Sequence, residues 1–182
     1  FIPQLIDVGG GMKTAAFVDG GVSMANNPSL QLLMVATLKG FPFHWKMGAD
    51  NILLVSIGTG MSKWEKIPQK VSKQNLLNWA SQIPDMLMQD ASWHNQAVLQ
   101  WLSNCDTRWS IDGEIGDLSD DLITNDPDKK GLLTYLRYNL WLDAPTLKQL
   151  MNKDYTTKQV DELVEMSNAD SRFELYKIGE AA

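Results

Sequence analysis

Residues 17–29 read FVDGGVSMANNPS, and they constrain the architecture of this chain more than any other stretch. A short apolar run, Ala15 to Val18, predicts a strand that delivers one carboxylate, Asp19, to a double-glycine turn. Asn27 as N-cap and Pro28 at the first helical position then predict the start of a helix. A cap side chain satisfies a free backbone N–H group, and proline has no such group to lose.

A second strand is predicted farther along the chain, at Ile52 to Ile57. It is apolar on both faces, as in a buried parallel strand. Together with the helix, which we expect to run from Pro28 as far as Gly40, the two strands predict a βαβ unit with a right-handed crossover. Ligands and chemistry gather at the carboxyl ends of parallel strands. We therefore expect Asp19 to meet a ligand or a reacting group.

Periodicity and chain breakers predict the remaining elements. Three connections are predicted: a loop over 1–14, a polar connection over 61–74 and a solvated acidic loop over 112–128. Helices are predicted over 76–88 and 91–102, separated or kinked around Pro84, and from Thr157 into the C-terminus. A strand is predicted over 132–142, with its odd-numbered residues on one face.

This order of elements predicts an α/β fold, a three-layer sandwich with a mainly parallel sheet. We expect a single domain over 1–182, with a core over 1–60 and a mostly helical extension over 61–182. The chain begins FIP, without an initiator methionine or a signal-peptide pattern. We expect it to be the C-terminal part of a longer polypeptide.

Composition excludes several classes of function. The net charge is −6 with no long block of Lys or Arg, which argues against nucleic-acid binding. The single cysteine, Cys105, excludes an internal disulfide framework and suits a reducing compartment, so we expect a cytoplasmic location. His44 and His94 are isolated, so no metal site is predicted. No apolar run reaches the ~18 residues that span a bilayer.

Asp19 is the first candidate for chemistry. An aspartate at a strand end, beside two residues without side chains, can orient or deprotonate a hydroxyl nucleophile on a neighbouring loop. The alternative is that Asp19 makes an Asx-turn hydrogen bond to its own backbone, a common use of Asp before Gly.

Three motifs in this order resemble the second half of a patatin-like phospholipase domain, a lipid acyl hydrolase. They are Asp19-Gly20-Gly21, Asn26-Asn27-Pro28 and the strand that ends at Gly58-Thr59-Gly60. The ordered match covers roughly residues 15–60, and the run LTYLRYN at 133–139 is similar to a segment farther downstream in bacterial members. Three motifs in the correct order are more specific than any one of them alone.

The resemblance implies that Asp19 is the acid of a Ser–Asp dyad and activates the serine without a histidine. It implies that Gly20 and Gly21, with Asn26, Asn27 and Pro28, support that turn. The reaction would be hydrolysis of an acyl ester in a lipid through an acyl-serine, with no cofactor. The family carries its serine in an upstream Gly-x-Ser-x-Gly elbow. No such elbow precedes Asp19 here, so we expect the serine to lie outside this sequence.

Three other motifs each have two interpretations. Gly9-Gly10-Gly11 is similar to a glycine-rich oxyanion loop, but its position favours a flexible loop with positive φ. Ser23 lies in a near-match to a nucleophile elbow, although the helix does not start directly after it. Gly58-Thr59-Gly60 could cradle a phosphate, but a tight exit from the sheet is favoured because the P-loop lysine is absent.

Aromatic residues next to lysines indicate a peripheral membrane contact as one further function. Trp45 and Trp64 lie near Lys46, Lys63 and Lys66, and such pairs suit a lipid interface. Ordinary packing of large rings in a half-buried core is the favoured interpretation, because most aromatic residues are structural. The rival to a hydrolase is therefore a non-catalytic lipid-binding or interaction module that keeps this half of the fold.

Overall fold

A computed structural model describes residues 2–11, 14–62, 72, 75–165 and 167–182. These residues form short strands and helices of very different lengths. The strands are β1 (Gln4–Ile6), β2 (Ala15–Phe17), β3 (Leu53–Ile57) and β4 (Thr134–Tyr138). The helices are α1 (Ser29–Thr37), α2 (Leu76–Leu102), α3 (Ala144–Met151), α4 (Thr157–Val164) and α5 (Arg172–Ala181). None of the helices described has both the length and the apolar content to cross a membrane.

The strands form two small sheets, which confirms the α/β class. β1 and β2 pair antiparallel, with Gln4 opposite Phe17, so the prediction of a loop throughout 1–14 is wrong. β3 and β4 are parallel, since Thr134 N donates to Ile52 O at 2.8 Å and Gly58 N donates to Tyr138 O at 2.8 Å. The predicted βαβ crossover is also wrong, because β2 and β3 lie in different sheets. Pairing with the adjacent β1 closes only a short loop, which costs little entropy.

β3 is buried on one face only. Leu54 and Ser56 are buried, whereas Leu53, Val55 and Ile57 are 64%, 46% and 78% exposed. The prediction of a strand buried on both faces is therefore wrong for the described residues. A strand whose two faces both pack against other elements is apolar throughout, but an apolar sequence does not show that elements cover both faces.

Several helix boundaries also differ from prediction. α2 continues through Pro84, where two helices were expected, because the loss of one hydrogen bond does not end a helix whose later turns are packed. The late helix is two helices, α4 and α5, separated by a 3₁₀ turn at Ala169–Ser171. α3 was not predicted; it begins at the Asp143 cap, whose Oδ1 accepts from Thr146 N at 2.8 Å. Most of the polar connection over 61–74 lies outside the described residues.

The chain divides into two compact units. The first comprises Phe1–Leu54 and Gln74–Leu136, and the second comprises Val55–Lys73 and Arg137–Ala182. In the first unit a core cluster is formed by Leu33, Ile52, Leu54, Leu99, Cys105, Leu133 and Tyr135, and Leu122 is also buried. In the second unit a core cluster is formed by Leu142, Leu147, Tyr155, Leu163 and Ile178.

The predicted alternation is confirmed over 133–137, but β4 is shorter than the predicted strand over 132–142, and beyond it the even-numbered Leu142 is buried. Leu133 and Tyr135 are fully buried and Arg137 nearly so, whereas Thr134 and Leu136 are only partly covered. α4 forms the start of the predicted late helix, and its apolar residues Val160, Leu163 and Val164 pack in the second core.

Candidate functional site

Asp19 lies two residues after the end of β2 and is exposed. Its backbone is extended (φ −61°, ψ 124°), and its side chain caps a 3₁₀ turn at Gly20–Val22. The Asp19 Oδ1 atom accepts a hydrogen bond from Gly21 N at 2.7 Å. The Asx-turn bond is therefore present, but it occupies one carboxyl oxygen. The second oxygen, Oδ2, accepts no hydrogen bond from the part of the chain that the structure describes.

The two glycines of the turn are required by close packing. A Cβ at Gly20 would lie 2.9 Å from the Cβ of Ala25, and a Cβ at Gly21 would lie 3.0 Å from Asp19 Oδ1. Methyl groups at these distances force neighbouring atoms to move. Gly20 and Gly21 therefore allow the turn to fold tightly around the carboxylate.

Ser23, four residues after Asp19, is bonded to the backbone of the same turn. Its Oγ donates to Gly20 O at 2.8 Å and accepts from Ala25 N at 3.3 Å. The hydroxyl proton is directed to a carbonyl oxygen rather than to the Asp19 carboxylate. This geometry favours the interpretation of Ser23 as a cap of the 3₁₀ turn at Met24–Asn26 rather than as a nucleophile.

Asn26 and Asn27 attach the turn to the middle of α2. Asn26 Nδ2 donates to Met88 O at 3.3 Å, and Asn27 Nδ2 donates to Ser92 O at 3.4 Å. Asn95 on α2 donates through Nδ2 to Asn27 O at 2.9 Å. The sequence did not reveal Asn95 as part of this site, because one asparagine in a long helix carries no local pattern.

α1 begins one residue later than predicted. Pro28 precedes the first helical residue, Ser29, and makes no side-chain cap. Asn27 Oδ1 instead accepts from Ser29 Oγ at 2.7 Å and from Ser29 N at 3.4 Å. Asn27 thus supplies an oxygen to the helix start as predicted, although from one position further out.

The two glycine runs outside this turn have the structural roles that the sequence favoured. Gly9 and Gly10 have φ of +69° and +65° in the loop between β1 and β2. Gly60 N donates to Asn139 Oδ1 at 3.0 Å, and a Cβ at Gly58 would collide with the Asn139 side chain. Gly58-Thr59-Gly60 is therefore a tight exit from β3, in the second compact unit, whereas Asp19 belongs to the first.

The aromatic and histidine candidates are exposed where the structure describes them. Trp45 is 59% exposed, so the packing interpretation is wrong for this ring. Lys63, Trp64 and Lys66 lie outside the described residues. His44 and His94 are exposed, and His44 Nε2 lies 3.1 Å from Lys39 O. Across the described ranges, no three His, Cys, Asp or Glu side chains are grouped so that they could hold a metal.

The second unit contains an open hollow of about 240 Å³ beside α4 and α5. One of the charged residues that line it, Glu174, accepts from Lys153 Nζ at 2.8 Å and from Tyr155 Oη at 2.7 Å through the same oxygen. These hydrogen bonds, from Lys153 first and then from Tyr155, lower the pKa of Glu174 below its ordinary value. The carboxylate is thus engaged in a structural cluster, and Asp19 remains the better candidate for chemistry.

The described architecture is a small α/β protein with an exposed carboxylate on a glycine turn that is anchored to a long helix. No protein-family model, no curated protein and no solved structure matches the chain.

Proposed function

We propose that this chain contributes the acid of a Ser–Asp dyad to a lipid acyl hydrolase of the patatin-like class. The nucleophilic serine would lie on a segment outside residues 1–182, and the whole domain would be a three-layer sandwich with a mainly parallel sheet. The observation that carries the proposal is the Asp19 carboxylate, which is exposed, held by one oxygen and unengaged at the other within the described residues.

The chemistry depends on that geometry. The Gly21 N–H group fixes the carboxylate through Oδ1, and Oδ2 can accept a proton from an approaching hydroxyl. The serine oxygen then attacks the ester carbonyl carbon, and the lipid alcohol leaves with the proton. Water, deprotonated by the same carboxylate, then attacks the acyl-serine; the carboxyl group returns that proton to the serine oxygen, and the fatty acid is released. The attachment of Asn26 and Asn27 to α2 limits the movement of the carboxylate during these steps.

The test is Asp19→Asn in the natural polypeptide that contains residues 1–182, assayed with a short acyl ester. Asn can still accept from Gly21 N through its side-chain oxygen, so the turn and the melting temperature should be retained. We expect kcat to fall by about a thousandfold or more, as for other dyad and triad members.

Asp7→Asn is a matched control. Asp7 Oδ1 accepts from Gly9 N at 2.9 Å, the same Asx turn on another exposed aspartate. If both carboxylates are only turn residues, the two variants will behave alike. Near-normal turnover by the Asp19 variant would therefore refute the proposal, whereas a loss confined to Asp19 supports it.

A non-catalytic lipid-binding or interaction module is the second candidate. It is favoured by the fact that the one hydrogen bond that Asp19 makes in the described part of the chain serves the turn itself. A fluorophosphonate probe separates the two functions, because it labels an activated serine. Absence of labelling and of ester hydrolysis in the natural polypeptide, with retained binding to lipid, would decide for the module.

A further inference from the structure

Residues 38–46, LKGFPFHWK, form an exposed loop directly after α1, here called the aromatic loop. Phe41, Phe43 and Trp45 occupy alternate positions in it and are 40%, 57% and 59% exposed. Leu38 at its start is also exposed. Three large rings in such a short stretch of surface are unusual unless they meet a partner or a membrane.

The loop is closed on itself, so its apolar side chains originate from a small area. Trp45 N donates to Ala36 O at 2.7 Å, which joins the end of the loop to the last turn of α1. Phe41 N donates to Leu38 O at 3.1 Å, and His44 adopts a positive φ of +50°. The rings are therefore presented by a folded loop with a defined backbone.

The charged residues that neighbour the rings in sequence have one sign. Lys39 and Lys46 lie within the aromatic loop, and residues 29–49 contain neither Asp nor Glu. The chain as a whole carries a net charge of −6, so this is a cationic region of an acidic protein. It is complementary to an anionic surface. Trp and Phe beside lysines suit a lipid headgroup layer in particular, where rings lie at the boundary and ammonium groups contact phosphates.

We propose that the aromatic loop docks on an anionic membrane surface. Phe41, Phe43 and Trp45 enter the headgroup region, and Lys39 and Lys46 contact the lipid phosphates. This inference goes beyond the proposed hydrolase and does not depend on Asp19. Binding and hydrolysis are therefore measured separately, and either one can fail alone.

The first measurement is co-sedimentation of the full chain with vesicles. One set contains phosphatidylcholine with phosphatidylglycerol, and the other contains phosphatidylcholine alone. We expect preferential binding to the anionic set and weaker binding as salt rises, because exposed charges are screened. Equal binding to both sets, or none to the anionic set, would overturn the proposal.

Variants then locate the binding surface. Lys39→Gln with Lys46→Gln should lower the partition coefficient about twenty-five-fold, at roughly fivefold for each lysine near an anionic surface. Lys148→Gln with Lys158→Gln is the matched control, since both ammonium groups are exposed and belong to the second compact unit, whereas the aromatic loop belongs to the first. An equal loss in the control would show that only net charge matters, and would contradict docking by this loop.

Removal of the aromatic rings tests the apolar contribution to membrane binding. Phe41→Ser, Phe43→Ser and Trp45→Ser together should lower binding by about tenfold or more. Phe173→Ser with Leu76→Ser and Leu77→Ser removes exposed apolar side chains elsewhere and should change little. Circular dichroism must show that each variant is folded. If the triple variant of the aromatic loop is unfolded, the single variant Trp45→Ser replaces it.

Two other occupants have distinct outcomes. If the loop binds a second copy of the chain, sedimentation velocity will show a dimer that the ring substitutions abolish, with no vesicle binding. If it binds an acidic protein, a polyglutamate competitor will bind the loop while anionic vesicles do not. Either result would refute the membrane proposal.

Discussion

The side-chain amide of Asn95 donates a hydrogen bond to the backbone carbonyl oxygen of Asn27, at 2.9 Å and across 68 positions of sequence. Both residues are buried. This bond joins α2 to the start of α1, eight residues after Asp19. The position of the candidate carboxylate therefore depends on a helix that begins far downstream in the chain.

Asn27→Ala should destabilise the protein. The substitution removes the donor to Ser92 O and the oxygen that Ser29 uses, in a buried site where hydrogen bonds are costly to lose. We expect a decrease of about 1–3 kcal/mol in the free energy of unfolding, measured in urea. Asn26→Ala is the control, because Asn26 also donates to α2, through Met88 O, but is exposed, whereas Asn27 is buried. An equal effect of the two variants would contradict this account of the turn.

Gly20→Ala should be destabilising for a steric reason. The new Cβ would lie 2.9 Å from the Ala25 Cβ, and such overpacking typically costs about 1–3 kcal/mol. Gly40→Ala serves for comparison, because a Cβ there meets no atom within 4 Å. We expect Gly40→Ala to leave the urea midpoint unchanged or slightly higher. If Gly20→Ala is as stable as the wild type, the turn is looser than the structure indicates.

Cys105 should react slowly in the folded protein. The side chain is 2% exposed, and burial raises the pKa of its thiol. Both effects reduce the thiolate that a disulfide reagent attacks. At mildly alkaline pH we expect labelling to be about a hundredfold slower in native buffer than in urea. Rapid labelling of the native protein would mean that the core around Cys105 opens readily.

Glu174 should contribute stability that depends on pH. Hydrogen bonds from Lys153 and Tyr155 lower its pKa in the folded state below 4.5, so its contribution is present above that pH. The contribution is lost as the pH falls through the lowered folded value. Glu174→Gln should cost at most about 1 kcal/mol at neutral pH, and this difference should vanish in acid.

Tyr155→Phe tests the origin of that effect. It removes the Oη donor, 2.7 Å from Glu174 Oε1, and leaves the Lys153 bond in place. We expect a smaller loss with the same pH dependence, from urea unfolding at a series of pH values. A gap between Glu174→Gln and the wild type that persists in strong acid would show that packing, and not the carboxylate, is responsible.

Local signals predicted the pieces of the candidate site well. Residues Ala15–Phe17 form a strand, Asp19 follows it on the glycine turn, and a helix begins just after Pro28. Each of these features depends on atoms only a few residues apart: a cap oxygen, a missing N–H or a missing Cβ. The prediction of Leu53–Ile57 as a strand succeeded for the same reason.

The partners of these pieces could not be predicted in the same way. β2 pairs with β1 rather than with β3, since strand pairing depends on the free energy of the whole fold. Nothing in the local sequence around Asn95 or Ser92 indicates that they hold the Asn26-Asn27 turn. The exposure of one face of β3 could not be predicted either, because an apolar strand has the same sequence pattern whether one or both of its faces are covered.

The sequence by itself therefore determined that a carboxylate stands on a double-glycine turn between a strand and a helix. Backbone sterics and capping act within a few residues, and they leave that stretch few alternatives. Only the tertiary structure decided what holds the turn, which oxygen of Asp19 is engaged and which apolar residues face solvent. Those outcomes depend on packing between segments that are distant in the chain, because the burial of a residue and its hydrogen-bond partners are both determined by that packing.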